Sequence, residues 1–446
     1  MYWLLSAPFR LALRIFYKVS LGGYEFPKAG PVLLVANHPN GLIDPLLVML
    51  ASPRPVRFLG KAPLFKMPVI GWLMRALKCL PVYRSQDGAG THGNENTFSA
   101  VSAALQRGEV VCLFPEGISH DEPMIQPMKT GAARMVVAAM TGSSKLDSLN
   151  IVAMGLHYPR KSIFRSRASV LIAEPMTIDA NEVYTDNEDD RTTVLALTER
   201  IRRAINGVTV NLSDWAHLPL VELAHALRAG DAESHADIVQ IVAQADTLYH
   251  DNPERLLALK ARMEAFLADL RWSGLSSVNF DELSNTGAQV RPVLAPSLRY
   301  LTLAFCAVPG VIAYAIPYFG VRLVERSRRD ERDVVATVKL LSGMVLFVLW
   351  QILLGLAIYW GIGSHLWAGC SLALPVFGWL ALRWVEEKAH LRRQLTYGLA
   401  RIARPRLASH LRCEAAAIAG ILAELAEDDA GRRNNGQRGS DTGFPA

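Results

Sequence analysis

Residues 340–363, "LLSGMVLFVLWQILLGLAIYWGIG", carry no charged side chain. Wound as a helix, that run is about 36 Å long, enough to cross a bilayer core of about 30 Å. Few folds can hold such a segment outside lipid, so the rest of the chain is read around it. Two further uncharged stretches flank it, 301–321 and 366–382. The connection between the first two bears Arg322, Arg326, Arg328, Arg329, Arg332 and Lys339, and Arg383, Lys388, Arg392 and Arg393 follow the third. The short turn 360–365 has neither Lys nor Arg. Positive loops stay on the cytoplasmic side, so 340–363 and 366–382 are expected to form a spanning hairpin with its turn outside. Pro309-Gly310 and Pro317 interrupt 301–321, which predicts a re-entrant or interfacial segment. A third full span is the alternative.

The N-terminus, "MYWLLSAPFRLALRIFYKVS", spaces Arg10, Arg14 and Lys18 four apart. On a helix that spacing makes one cationic stripe beside the apolar Trp3, Leu4, Leu11, Ile15 and Phe16. Residues 1–22 are therefore expected to form an interfacial helix on an anionic bilayer, with a surface helix packed on its own domain as the alternative. The formal charge of +6 and a hydrophobic content of 51% together point to a membrane surface as the partner rather than nucleic acid. The five cysteines are scattered and form no CxxC pair, which suits reduced thiols in a chain facing the cytosol.

Between 23 and 180 the pattern alternates. Val32–Ala36, Val110–Phe114 and Ile151–Leu156 are short, continuously apolar runs, and Val56–Leu59 and Ala168–Ala173 are apolar apart from Arg57 and Ser169. Strands of that kind belong in a mainly parallel sheet covered on both faces. Helical patterns at 63–78, 95–107 and 129–142 lie between them, so the fold class is α/β, with helices flanking the sheet. Residues 181–296 read as a helical region, 297–384 as a membrane region, 385–426 as a cytoplasmic helical segment and 427–446 as a disordered tail.

Two loops in the α/β part carry polar chemistry. In "VLLVANHPNGLID" a buried strand breaks at Asn37-His38-Pro39-Asn40-Gly41, and Asp44 follows. A carboxylate reaching a histidine's ring nitrogen fixes its tautomer, leaving the other nitrogen to take a proton from an alcohol. No GxSxG elbow accompanies the pair, so the hydroxyl it activates is expected to be a substrate's. In "VVCLFPEGISHDEP" a second strand runs into Glu116, Gly117 and Ser119, which suit a hydroxylated ligand approaching the backbone closely. Arg84 in "LPVYRSQD" and Lys61 in "FLGK" are cations that can bind phosphate or be plain surface charges. His92 and His157 are read as a solvated and a packed histidine respectively.

Taken in order, "NHPNGLID", "LPVYRSQD", "FPEGISHDEP" and "IVAMGLHY" resemble the four sequence blocks of the glycerolipid acyltransferases, over roughly residues 30–175. The resemblance implies acyl transfer from acyl-CoA or acyl carrier protein to a glycerol hydroxyl, with no metal and no further cofactor. It implies His38 as general base, Asp44 as its orienting partner, Arg84 on the acceptor phosphate, and Glu116, Gly117 and Ser119 around the polyol. The spacing of five residues between His38 and Asp44, where four is usual, is similar to the subgroup acting on glycerol 3-phosphate and dihydroxyacetone phosphate. A lysophosphatidate acceptor is the alternative. Ala153 stands where the family commonly has proline, and no site role is drawn from that fourth block. Two rivals stand beside this reading. One is a metal-dependent phosphohydrolase using His38, Asp44, Glu116, His120 and Asp121; the other is a non-catalytic lipid-binding membrane protein.

Overall fold

The computed structural model describes residues 2–83, 94–141, 146–183, 190–229, 234–275, 294–326, 334–363, 365, 369 and 371–440. The chain forms two compact units: Met1–Ser213 with Ser327–Leu340, and Asp214–Arg326 with Leu341–Ala446.

The first unit is an eight-stranded sheet between helices. Its elements are α1 (Tyr2–Phe16), β1 (Lys18–Gly23), β2 (Val32–Ala36), α2 (Ile43–Ala51), β3 (Val56–Lys61), α3 (Pro68–Ala76), β4 (Leu80–Val82), α4 (Asn94–Gln106) and β5 (Val110–Leu113). They continue with α5 (Gly131–Thr141), β6 (Ser148–His157), β7 (Arg167–Ile172), β8 (Met176–Asp179), α6 (Ala180–Val183) and α7 (Asp190–Asn206). The strand order is β1-β7-β6-β2-β5-β3-β4, with β8 added on β6. Every pairing is parallel except those of β6 with β7 and with β8. The expected mainly parallel α/β sheet is therefore present.

β2 and β5 are buried along their whole lengths. Their continuous Val/Leu runs follow from that position, since helices cover both faces and no residue faces water. α1 packs with α2, while α4, α5 and α7 pack together and against β5, β6 and β2. The approach of α7 to β6 is very close. A Cβ built on Gly155 would lie 1.6 Å from the Val208 carbonyl oxygen just past α7, so only glycine fits there.

Several boundaries differ from the sequence reading. The N-terminal helix ends at Phe16, and Lys18 opens β1, pairing along β7. The cationic stripe accordingly splits. Arg10 turns inward and donates to the Met49 and Leu50 carbonyls at 3.1 and 3.0 Å, capping the end of α2 where a cation is favoured. The helical pattern assigned to a separate region from 181 begins inside the first unit, because α7 buries Leu197, Ile201 and Ile205 against it. β1, β4 and β8 were not marked as strands in the sequence. They are short or carry polar and glycine residues, and the sheet recruits them by backbone pairing.

The second unit contains α8 (Leu218–Ala229), α9 (His235–Asp251), α10 (Pro253–Trp272), α11 (Leu294–Arg326), most of α12 (Val335–Ile362), α13 (Leu374–Ala403) and α14 (Pro405–Ser440). The expected break at Pro309-Gly310 is not there, and α11 runs continuously through both prolines. Close packing accounts for this. A Cβ on Gly310 would come within 2.1 Å of the Phe377 carbonyl oxygen of α13, and small residues of this kind let helices meet backbone to backbone. Trp350 of α12 also donates to the Ala313 carbonyl at 2.6 Å.

Among the described residues two helices are long and apolar enough to cross a membrane, Ser297–Arg326 and Val335–Gly361. Of the third apolar stretch, residues 366–368 and 370 lie outside the described residues, and 374–382 open α13, which becomes charged at Arg383, Glu386 and Glu387. The expected 340–363 span falls within α12, and 301–321 falls within α11, the segment for which a third full span was the alternative. The helix α14 continues to Ser440, across much of the tail expected to be disordered.

Candidate active site

Four of the parallel strands end on one edge of the sheet, and the sequence motifs lie just past those ends. His38 follows β2, Glu116 follows β5, Tyr158 follows β6, and Lys61 is the last residue of β3. Loops beyond the carboxyl ends of parallel strands are where α/β proteins build their sites. Arg84, two positions past β4 in sequence, lies outside the described residues, as does His92.

The turn after β2 begins with Asn37, whose side-chain amide and carbonyl bond the backbone of Leu156 in both directions, at 2.9 and 2.7 Å. The asparagine thus prolongs the β2–β6 pairing by one residue and delivers His38 to the edge. Five residues on, the N-terminus of α2 presents Asp44 in its first turn, where the helix dipole favours a negative charge. His38 Nδ1 and Asp44 Oδ2 are 2.8 Å apart. Asp44 is completely buried and accepts two more hydrogen bonds, from the Asn40 backbone N–H at 2.7 Å and from the Tyr158 hydroxyl at 2.8 Å. With Nδ1–H donating to the carboxylate, the lone pair of Nε2 is the available base. The His38 ring stacks on Phe114 with centroids 4.1 Å apart and planes 13° from parallel, which fixes its plane as Asp44 fixes its tilt.

The predicted polyol residues take more specific places. The Glu116 carboxylate accepts from the His38 backbone N–H at 2.9 Å, the Gln126 N–H at 2.8 Å and the His120 ring. His120 Nδ1 accepts from the Glu122 N–H at 3.2 Å, so its Nε2 is the nitrogen that donates to Glu116. Ser119 Oγ accepts from the Gly41 N–H at 2.8 Å, and the His120 N–H bonds the His38 carbonyl at 3.2 Å. Glu116 and Ser119 therefore lock the two loops together. Gly117 adopts φ +74°, and a Cβ there would lie 2.9 Å from Lys129 Nζ; the lysine lies over the glycine.

Sequence reasoning missed four residues. Tyr158 belongs to the block to which no role was given. Tyr17, just past α1, accepts from the Asn40 amide at 3.2 Å and donates to the Lys161 carbonyl. Lys161 in turn bonds the Pro39 carbonyl at 2.7 Å and pairs with Asp121 at 2.6 Å. Lys129 is the fourth, brought to the turn by its N–H bond to the Pro115 carbonyl, 2.9 Å. Burial raises the phenols of Tyr17 and Tyr158 well above the ordinary tyrosine value, with the Asp44 charge adding to it in both, so each remains protonated. His157, read as a packed histidine, is buried, and burial pushes it down to about 4.

The backbone N–H groups of His38, Asn40, Gly41 and Gly117 are all engaged inside the protein. Among the described residues, His38 Nε2 has no hydrogen-bond partner while Nδ1 is held by Asp44. A base poised at the surface without a nucleophile of its own serves to deprotonate something that arrives from outside.

Comparison with known proteins agrees with this geometry. Residues 19–156 match the acyltransferase family. Glycerol-3-phosphate O-acyltransferase 2 of Saccharomyces cerevisiae is 26% identical over 274 residues, covering 59% of this chain and 36% of that protein. The yeast glycerol-3-phosphate O-acyltransferase 1 is 23% identical over 441 residues, 75% of this chain and 58% of the other. The chain thus spans between about a third and three fifths of these relatives' lengths. The chloroplastic 1-acyl-sn-glycerol-3-phosphate acyltransferase LPAT1 of Arabidopsis thaliana is 29% identical over a shorter stretch, 28% of this chain and 34% of its own length. The stretch that matches the acyltransferase family, residues 19–156, holds the His38–Asp44 pair at the edge of its sheet.

Proposed function

We propose that this chain is a membrane-bound O-acyltransferase that moves a fatty acyl group from acyl-CoA or acyl carrier protein to a hydroxyl of glycerol 3-phosphate or dihydroxyacetone phosphate. The observation that carries the reading is the 2.8 Å His38–Asp44 contact, with Nε2 left open and no Ser or Cys hydrogen-bonded to the ring among the described residues. His38 Nε2 takes the proton of the acceptor hydroxyl as its oxygen attacks the thioester carbonyl. Asp44 stabilises the imidazolium that forms. The tetrahedral oxyanion then collapses, the C–S bond breaks, and the departing thiolate takes the proton back from Nε2. No acyl-enzyme is formed.

The acceptor's phosphate is assigned to Lys61 and Lys129, together with Arg84. Lys61 ends β3, two strands from β2, about 10 Å across the sheet, and Lys129 lies over Gly117 between them. The first-step acceptors are favoured over lysophosphatidate by the five-residue spacing and by the greater coverage of the yeast relatives.

The membrane assignment is supported by α11 and α12, whose surfaces expose Phe305, Ile312, Ile316 and Trp360, and by the outward Trp3, Leu4, Leu11 and Ile15 of α1. The catalytic unit is placed on the cytoplasmic face. In support, the basic 322–339 connection leads into the start of α12, where Lys339 donates to the Ser162 carbonyl at 2.6 Å.

The test offers labelled palmitoyl-CoA to membranes carrying the protein, with glycerol 3-phosphate, dihydroxyacetone phosphate or lysophosphatidate in turn and His38→Ala in parallel. Product from either of the first two, lost on substitution, supports the reading. Product from lysophosphatidate alone keeps the chemistry and changes the acceptor. Product from none, with acyl carrier protein donors also tried, refutes it.

A further inference from the structure

A histidine–carboxylate pair needs one contact between its members, yet Asp44 has a further side-chain donor. The Tyr158 hydroxyl reaches Oδ1 at 2.8 Å, on the oxygen that His38 does not use. Tyr158 arrives from the end of β6, an element separate from both the His38 loop and α2. Both Asp44 and Tyr158 are buried, so no water competes for the contact. The phenol remains a donor, since burial and the neighbouring carboxylate charge both oppose its ionisation.

We propose that Tyr158 is a positioning residue of the acyl-transfer site: its hydroxyl withdraws charge from Asp44 and so sets how strong a base His38 presents to the acceptor. This rests on the acyltransferase reading above. A carboxylate whose charge is shared among donors holds an imidazolium less tightly than one facing the ring alone.

The other groups around the pair are the Asn40 N–H on Oδ2, the Tyr17 ring 5.7 Å from that of Tyr158, Glu116 on the His38 backbone, and the Lys161–Asp121 pair at Pro39.

The experiment measures kcat/KM against pH for the full chain in membranes, with glycerol 3-phosphate and palmitoyl-CoA. Tyr158→Phe removes the donor. Its acid limb is expected at higher pH by between about half a unit and one unit, the size of a hydrogen bond to a charged group passed on in part. KM for the acceptor should hold within about twofold. Tyr158→3-fluorotyrosine keeps the shape and donates more strongly, so its limb is expected at lower pH. This second variant reports even where the phenylalanine protein fails to accumulate.

Opposite displacements in the two variants establish the role. Limbs that superimpose on wild type, or a uniform fall in rate with no displacement, overturn it and leave Tyr158 as packing. A wild-type protein with no transfer to any acceptor would instead overturn the acyltransferase reading itself, and the His38→Ala control separates the two failures.

Discussion

Replacing Asp44 by Asn tests how much of the site's power lies in a charge and how much in a shape. The amide has the size of the carboxylate but only one acceptor oxygen. Placed at the Oδ2 position, that oxygen keeps the bonds from His38 Nδ1 and from the Asn40 N–H. The NH2 then faces Tyr158, whose hydroxyl can turn and accept. The reverse orientation would set NH2 against the buried Asn40 N–H, leaving a donor unsatisfied at a cost of about 1–3 kcal/mol. The first orientation wins, and the His38 tautomer survives. What is lost is the attraction between carboxylate and imidazolium in the transition state. For unit charges about 4 Å apart at an effective dielectric of about 20, this is roughly 4 kcal/mol, or about a thousandfold in kcat. Labelled palmitate transfer to glycerol 3-phosphate, scaled to protein abundance in the membranes, reads that ratio directly. A variant within tenfold of wild type would refute the general-base reading, because no imidazolium would then need its counter-charge. A loss as complete as that of His38→Ala would refute the argued orientation and show that the tautomer had turned over.

Two further outcomes follow from the geometry. Lys129→Met is expected to raise KM for glycerol 3-phosphate by about tenfold, the value of one charge-assisted contact, with kcat within about threefold; steady-state kinetics over acceptor concentration check it, and an unchanged KM removes Lys129 from the phosphate site. Because His157 is pushed down to about 4 by burial, its contribution to stability is present above the unfolded value near 6.5 and is lost as pH falls toward 4, by roughly 3 kcal/mol in all. His157→Leu should therefore flatten the fall in thermal midpoint across that window, and an unaltered fall would locate the acid sensitivity elsewhere.

The central strands were legible because burial on both faces leaves a simple mark. β2 and β5 are continuous apolar runs, β6 and β7 hold the apolar runs 151–156 and 170–172 inside longer strands, and β3 buries Val56 and Phe58 on either side of Arg57. The edge strands were hidden for the complementary reason. β1 is "KVSLGG", exposed at four of its six residues, and its register against β7 makes it a strand. Helix ends and breaks were the weakest readings where neighbouring backbone decides them. Pro309-Gly310 looks like a break in isolation, and the close approach of α13 at Gly310 turns the same pair into a packing site. The continuity of α11 is therefore a tertiary fact that its own residues do not announce.

At the site, the residues that bear chemistry were visible and those that aim them were not. His38 and Asp44 lie within one loop, so their spacing alone brings them together. Tyr158 lies 114 positions from Asp44, and no local pattern links a tyrosine at a strand end to a carboxylate at a helix start. The topology supplies the link. β6 and β2 are parallel neighbours with Ala36 opposite Met154, so whatever follows β6 emerges beside whatever follows β2. The same reasoning gives the edge a direction. Toward β5 and β3 the strand ends carry Lys129 and Lys61, whereas toward β6 the corresponding cation, Lys161, is already held by Asp121 and the Pro39 carbonyl. On the proposed acyl-transfer reading, the acceptor's phosphate is expected on the β5–β3 side, its hydroxyl reaching Nε2 from there and the thioester taking the opposite approach to the imidazole.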